Sequence, residues 1–370
     1  MSYLIGVDVG GTTTTLAIAN ERGEVLSISG QFPTRSEQGP QQVTRSIVEQ
    51  AVAAVHLLGG SIDDVVAVGL ATPGPATVDG VLLKSPNLDP TKWDKFPIRA
   101  ELEKAFQSCR PGLGVRYLGD GQAAALGEFA IRSRSMTWKQ AAANIPADRP
   151  LSSLFMVIVG TGLGGGAVQQ GQVVRGREGR AGHAGHVSLP PHAFRYEHDR
   201  QLLVGNSYCT AESAVSLSAL THQLGYRLSL DRWRNHPLQS AGGSTRDKAK
   251  LLRGLADCGD ELALELFDDQ AQALGITLLN VNYLGDYDLL VIGGGVCDLS
   301  PAMRERYRWR VIDSYWRHAL EGFQDVVDIE FSVCGDDAPV IGAIRWVASG
   351  PARNHADGSP KLAAGNGWSP

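Results

Sequence analysis

Two segments of this 370-residue chain run an apolar strand pattern straight into a glycine-rich turn. Residues 4–12 read LIGVDVGGT and residues 154–166 read LFMVIVGTGLGGG. Gly and Thr after a buried strand leave backbone N–H groups free and let a phosphate come close, because no Cβ stands in the way. The turns are Gly10, Gly11 and Thr12 in the first segment and Gly160, Thr161, Gly162 and Gly164 in the second. Facing one another, they would hold a polyphosphate between two similar domains. Two carboxylates stand beside such elements. Asp8 precedes the first turn, where it either satisfies turn amides or holds a hydrated cation beside phosphate. Asp120 follows a short apolar run and precedes a helical pattern, and taken alone reads as a helix N-cap.

Gly160, Gly162 and Gly165 also satisfy G-x-G-x-x-G, but a dinucleotide site needs a helix directly after the glycines. The stretch 167–174 alternates and turns at Gly171, which reads as a second strand and makes the element a hairpin. Thr12 to Thr15, then Leu16-Ala17-Ile18-Ala19, behave the same way. Neither turn opens a helix, which argues against a nicotinamide cofactor.

The spacing of apolar residues predicts the supporting elements. Val43, Ile47, Val48, Ala51, Val55 and Leu58 form one stripe of a helix over 41–58. A buried strand over 65–70 ends in Ala71-Thr72-Pro73-Gly74-Pro75, a turn signal. A strand over 115–118 leads through Gly119-Asp120 into a helix over 122–131. Residues 133–150 read as an insertion or lid. A helical stretch follows Glu212, and another covers 248–284 with a break near Gly259. A strand over 288–292 enters Gly293-Gly294-Gly295, and Ser300 and Pro301 then read as N-cap and first helical residue. The Gly-, Pro-, Asn- and Ala-rich stretch 351–370 is expected to be a disordered tail.

The length favours two domains, and 43% hydrophobic residues give a globular composition. A net charge of −5 argues against a nucleic-acid surface as the main business, and Arg132-Ser133-Arg134 is short and reads as a solvated helix end. No apolar stretch reaches membrane-spanning length, and Tyr3 already begins a strand, so a cytoplasmic protein with no membrane partner and no signal peptide is expected. Five scattered cysteines suit reduced thiols.

Taken in order, the motifs resemble those of ROK-family sugar kinases (repressor, open reading frame, kinase), within the actin-like ATPase superfamily, over about 3–348. Asp8-Val9-Gly10-Gly11-Thr12 and 160–166 resemble the two phosphate motifs. Pro73-Gly74-Pro75 and Ser85-Pro86-Asn87-Leu88 resemble the sugar-side loops, and 119–128 the catalytic Asp segment. Gly182-His183-Ala184-Gly185-His186 resembles the E-x-G-H signature. Gly293-Gly294-Gly295 and Gly335-Asp336-Asp337-Ala338 with Ile341-Gly342-Ala343 resemble the adenosine side.

The resemblance implies an α/β fold of two actin-like (ribonuclease H-like) domains with a nucleotide and sugar cleft between them. The small domain would hold 1–120 plus about 331–350, and the large one 121–330. It implies transfer of the γ-phosphate of ATP to a hexose hydroxyl, with Asp120 as general base, Asp8 on Mg²⁺, and a homodimer. Gly74, Asn87, His183, His186 and Glu212 would line the sugar site with Asp120. Asn87 offers a donor and an acceptor to vicinal hydroxyls, and Glu212 matches a sugar-binding Glu of the family.

Three departures stand out. His183 replaces the signature glutamate, and Gly119 replaces an Asn before the catalytic Asp. The zinc motif C-x-C-G-x-x-G-C is absent; His186, His192, His198 and Cys209 could in principle supply four ligands, but His on a loop is more often a surface or hydrogen-bonding residue, so structural zinc is not expected. The alternative reading is a catalytically degenerate sugar-binding or regulatory relative. ROK repressors carry a helix-turn-helix before the first phosphate motif, and here Tyr3 already starts that strand.

Overall fold

The computed structural model describes residues 1–83, 89–142, 145, 150–324 and 328–350. Asn87 and the tail 351–370 lie outside the described residues, as do 143–144 and 146–149 of the segment read as an insertion.

Continuous apolar runs make the central strands. β1 (Tyr3–Val9) is buried along almost its whole length and returns antiparallel through the first glycine turn as β2 (Thr13–Asn20). β3 (Val25–Ile28) and β4 (Phe32–Pro33) pair with β2, while β5 (Val65–Thr72) and β6 (Val115–Gly119) add in parallel beyond β1. The order is β3-β2-β1-β5-β6. α1 (Pro40–Leu57) buries Val43, Ile47, Val48, Ala51 and Val55 against the same cluster as Ile5 and Val7, so the predicted stripe is the packed face. α2 (Pro90–Trp93) and α3 (Ile98–Gln107) complete that layer with Trp93, Leu102 and Phe106.

A second sheet repeats this plan. β7 (Leu154–Val159), β8 (Leu163–Gln169) and β9 (Gln172–Val173) form an antiparallel meander, and β10 (Leu289–Gly294) and β11 (Asp328–Phe331) add in parallel beyond β7. Its order, β11-β10-β7-β8-β9, mirrors that of the first sheet. α4 (Asp120–Arg132) and α11 (Ala338–Ala348) lie between the sheets, in one core with Leu4, Ala17 and Ala71 on one side and Met156, Val168 and Val291 on the other. α5 (Lys139–Ala142) follows α4. The second outer layer holds α6 (Ala211–Ala214), α7 (Leu217–Ser229), α8 (Thr245–Asp257), α9 (Glu261–Gly285) and α10 (Pro301–His318). The break between α8 and α9 falls at Gly259, whose φ of 79° suits glycine, and Asp260 caps α9.

One expectation needs correction. The second glycine turn is shorter than its run of glycines: Gly164, Gly165 and Gly166 are already inside β8, paired with Ile158, Val157 and Met156. The described start of the 133–150 segment is docked at the first sheet, with Thr137 exchanging backbone bonds of 2.9 Å with Val25 and Gly23. No helix among the described residues is long and apolar enough to cross a membrane.

Candidate active site

Sheet register brings the candidate residues to one edge. Asp8 pairs with Ala71, and Ala71 with Leu118, so Asp8, the β5 exit toward Gly74 and the β6 exit toward Gly119 and Asp120 lie side by side at the carboxyl ends of parallel strands. In open α/β sheets ligands collect at this edge. The second sheet does the same: Val159 pairs with Gly294, which sets Gly160 beside Gly295. Gly294 has φ of 79°, a conformation that favours glycine.

Both turns are tied down through their carbonyls. In the first, Gly10 N–H closes the turn on Thr13 O at 2.8 Å, while Thr34 Oγ1, Ser36 Oγ and Thr34 N–H donate to the carbonyls of Gly10, Gly11 and Thr12. In the second, Gly160 N–H bonds Gly162 O at 2.9 Å, Leu217 N–H donates to Gly160 O, and Ser218 Oγ donates to Thr161 O. Among the described residues the N–H groups of Gly11, Thr12, Thr161 and Gly162 have no protein acceptor. Rigid turns with free amides are what an anion needs. Glu212 takes Leu163 N–H at 2.8 Å, and a Cβ at Gly162 would lie 2.6 Å from its carboxylate. One Glu212 oxygen therefore braces the second turn.

Asp120 is the first residue of α4, with Gly119 as N-cap, so the N-cap reading shifts by one residue. Its Oδ1 accepts Gly121 N–H at 2.7 Å. Gly121 sits where its Cβ would overlap the Gly165 carbonyl, and Gly166 meets Gly121 in the same way. These glycines let the α4 N-terminus lie directly on β8 and carry Asp120 to the second sheet. Burial pushes the Asp120 carboxyl up to about 6, against the pull of its backbone hydrogen bonds. Asp8 is pushed up to about 8 by burial, then by the charges of Asp120 and Asp336. Two further carboxylates thus act on Asp8, and a cation beside it would relieve that repulsion.

The loop before the His183 segment is anchored by Gln122, a buried residue whose amide Nε2 reaches the carbonyls of Ala181, Gly179 and Arg175 at 3.0, 3.1 and 3.4 Å. Gly182 packs on Gly165 and Gly166, which places His183 beside the Asp120 end of α4. His183 and His186 both reach solvent, with ring centroids 6.1 Å apart; the neighbours that cover part of the His183 ring, and then His186, hold its imidazole below the usual range. Neutral at pH 7, it offers one donor and one acceptor.

The zinc alternatives are engaged elsewhere. His192 stacks on His318, His198 stacks on His222 and Tyr226, and Cys209 Sγ faces the Arg200 carbonyl. Among the described residues no three His, Cys, Asp or Glu side chains come together as a metal cage.

Sequence reasoning assigned no role to Glu128, although it lies in the Asp120 segment. Fully buried, it pairs with Arg132 at 2.7 Å and accepts from Ser332 Oγ, Val333 N–H and Cys334 N–H at 2.7, 2.9 and 3.2 Å. It bolts the Asp120 helix to the loop that leads to Asp336 and α11. A Glu eight residues into a helical pattern was the only signal.

The model of the ROK family matches this chain over residues 4–349. The chain belongs to the ROK family. This ROK chain is 26% identical over 348 residues to a glucokinase from Halalkalibacterium halodurans, covering 92% of this chain and 93% of that protein. A solved ROK hexokinase from Thermus thermophilus superposes with a TM-score of 0.69 at 28% identity, covering 92% and 96% of the two chains. A ROK family glucokinase from Streptomyces griseus, solved in complex with glucose and AMPPNP, superposes at 0.66 with 26% identity and covers 93% and 99%. The two sheets of matching topology are thus the two actin-like domains of a ROK fold.

Proposed function

We propose that this ROK protein is an ATP- and Mg²⁺-dependent sugar kinase that transfers the γ-phosphate to a hexose hydroxyl. One observation carries the reading: two glycine turns with free amides stand at the carboxyl edges of two similar sheets, and Asp120 heads the helix between them. The relatives named glucokinase and hexokinase support the same class.

In this reading the amides of Gly11, Thr12, Thr161 and Gly162 hold phosphate oxygens, with Gly10, Gly160 and Gly164 keeping the approach open. Gly293, Gly294 and Gly295 form the adenosine side. Asp8 would be the carboxylate that holds Mg²⁺, an ion that needs only one or two protein carboxylates. When bound, the ion would supply charge neutralisation for the phosphoryl group. Asp120 takes the proton of the sugar hydroxyl; a carboxyl titrating near 6 is ionised at pH 7 and still basic enough to accept it. Gly74, Asn87, His183, His186 and the second oxygen of Glu212 line the sugar side. His183 in place of glutamate removes an anionic acceptor, so the preferred sugar differs from plain glucose or glucose binds weakly. Closure of the two domains would exclude water from the γ-phosphate.

We place the small domain at 1–120 plus 331–350 and the large one at 121–330; the packing of α11 on β1 and β5 supports returning the C-terminal helix to the first sheet. A cytoplasmic homodimer completes the proposal. The test is a coupled ADP-release assay across hexoses and amino sugars. Saturable release with one sugar, and none without it, is expected. Sugar-independent release, or none with any sugar, would refute the kinase reading.

A further inference from the structure

The sequences of both glycine turns, 4–12 and 154–166, contain no Lys or Arg. The site around them holds Asp8, Asp120 and Asp336. Neutral amides and one divalent ion would leave a polyphosphate facing net negative protein, so a basic side chain from another element is needed for balance.

α8 supplies one. Ser244 caps this helix, and Asp247 in its first turn suits the positive end of the dipole. Arg246, in the same turn, opposes that dipole, so helix stability gives no reason for a cation there. Among the described residues Arg246 has no ion-pair partner, whereas Lys250 pairs with Asp247 at 3.2 Å and Arg253 with Asp298 at 3.0 Å. The Arg246 guanidinium instead crosses to the second glycine turn, where Nη2 donates to Thr161 Oγ1 at 3.4 Å. Thr161 is the middle of that turn and its N–H is free. About two helical turns further along α8, on the same face, Arg253 lies against Gly295, its Nη2 2.6 Å from where a Cβ there would stand. One face of α8 therefore runs from the phosphate turn to the adenosine turn.

We propose that Arg246 is a donor-phosphate-binding residue: its guanidinium takes the phosphate oxygens of ATP that rest on the Thr161 turn. The planar fork matches phosphate geometry, which a lysine matches only as a point charge. The assignment rests on the kinase reading and deepens it.

The experiment compares wild type, Arg246→Gln, Arg246→Lys and Lys250→Gln. Lys250→Gln removes a charge from the same helix outside the site. AMPPNP binding with Mg²⁺ is measured by calorimetry, and KM for ATP and for sugar in steady state. Arg246→Gln is expected to weaken AMPPNP and raise KM for ATP about tenfold, a modest effect because the group is exposed and screened. Arg246→Lys should recover part of the loss. KM for sugar, kcat and melting temperature should stay at wild-type values, and Lys250→Gln should match wild type throughout. Wild-type AMPPNP affinity in Arg246→Gln, or an equal loss in Lys250→Gln, overturns the assignment alone. A wild-type protein that binds no AMPPNP overturns the kinase reading and the assignment with it.

Discussion

Binding of the Mg²⁺–nucleotide should expel a proton from Asp8. Burial, Asp120 and Asp336 push the Asp8 carboxyl from 3.8 up to about 8 in the free protein. Roughly nine in ten Asp8 groups are then protonated at pH 7, and close to one proton must leave for the carboxylate to meet the ion. Below pH 8 the affinity for Mg²⁺–AMPPNP should rise about tenfold per pH unit, and above pH 9 it should level off. Asp120→Asn removes the like charge that acts more strongly on Asp8. Asp8 should then titrate lower, so the variant should release less proton and bind the nucleotide more tightly at pH 7 than wild type. The assay is calorimetry at pH 7 in two buffers of different ionisation enthalpy, where the slope of observed enthalpy counts protons. A slope near zero with tight wild-type binding would refute the reasoning. Stability of the free protein runs the opposite way with pH. Between 3.8 and 8 folded Asp8 holds more proton than unfolded Asp8, so apo stability falls as pH rises through that window. Asp8→Asn should raise folding stability at pH 8 by on the order of 1–3 kcal/mol given partial access to water, read as a higher melting temperature, while abolishing turnover.

Further outcomes follow from neighbouring residues. Gly119 has φ of −66° and little around its Cβ position except Gln122 Oε1 at 4.0 Å, so Gly119→Asn should fold with unchanged or slightly higher stability and lower KM for the sugar; a destabilised variant, or an unmoved KM, counts against the sugar-side placement. Glu128→Ala removes one of the two carboxylates on Arg132, which keeps Glu330 and the Phe331 carbonyl, and takes the buried acceptor from Ser332 Oγ and Val333 N–H; it should cost about 3 kcal/mol in urea unfolding, and a loss under about 1 kcal/mol would deny it the bolting role. His183→Glu should move preference toward glucose; unchanged ratios of kcat/KM across a sugar panel would remove His183 from the sugar site.

The parts of the fold that rest on local pattern were legible in the sequence. Unbroken apolar strands before Gly–Thr turns predicted both hairpins, and the 3.6-residue stripe predicted α1. The order of the motifs pointed to the ROK family. Long-range contacts were not legible. Glu128 meets residues 204 to 206 positions away, and Arg246 reaches Thr161 across 85, so neither leaves a periodic trace. The glycine run from 160 misled for a physical reason. A glycine that frees a turn and a glycine that admits a close neighbour look alike in sequence, and Gly165 is of the second kind because the Gly182 carbonyl packs on it, as is Gly166, on which the Asp120 end of α4 lies. The same contact is what carries Asp120 into the cleft.

The central claim is transfer from ATP to a sugar hydroxyl with Asp120 as the base. It is tested most directly by incubating wild type and Asp120→Asn with [γ-³²P]ATP, Mg²⁺ and each sugar, and counting label in sugar phosphate. The account predicts label in one or a few hexose phosphates with wild type, and a rate lower by on the order of 10²–10⁴ in Asp120→Asn. Label confined to inorganic phosphate, or transfer by Asp120→Asn at the wild-type rate, would contradict it.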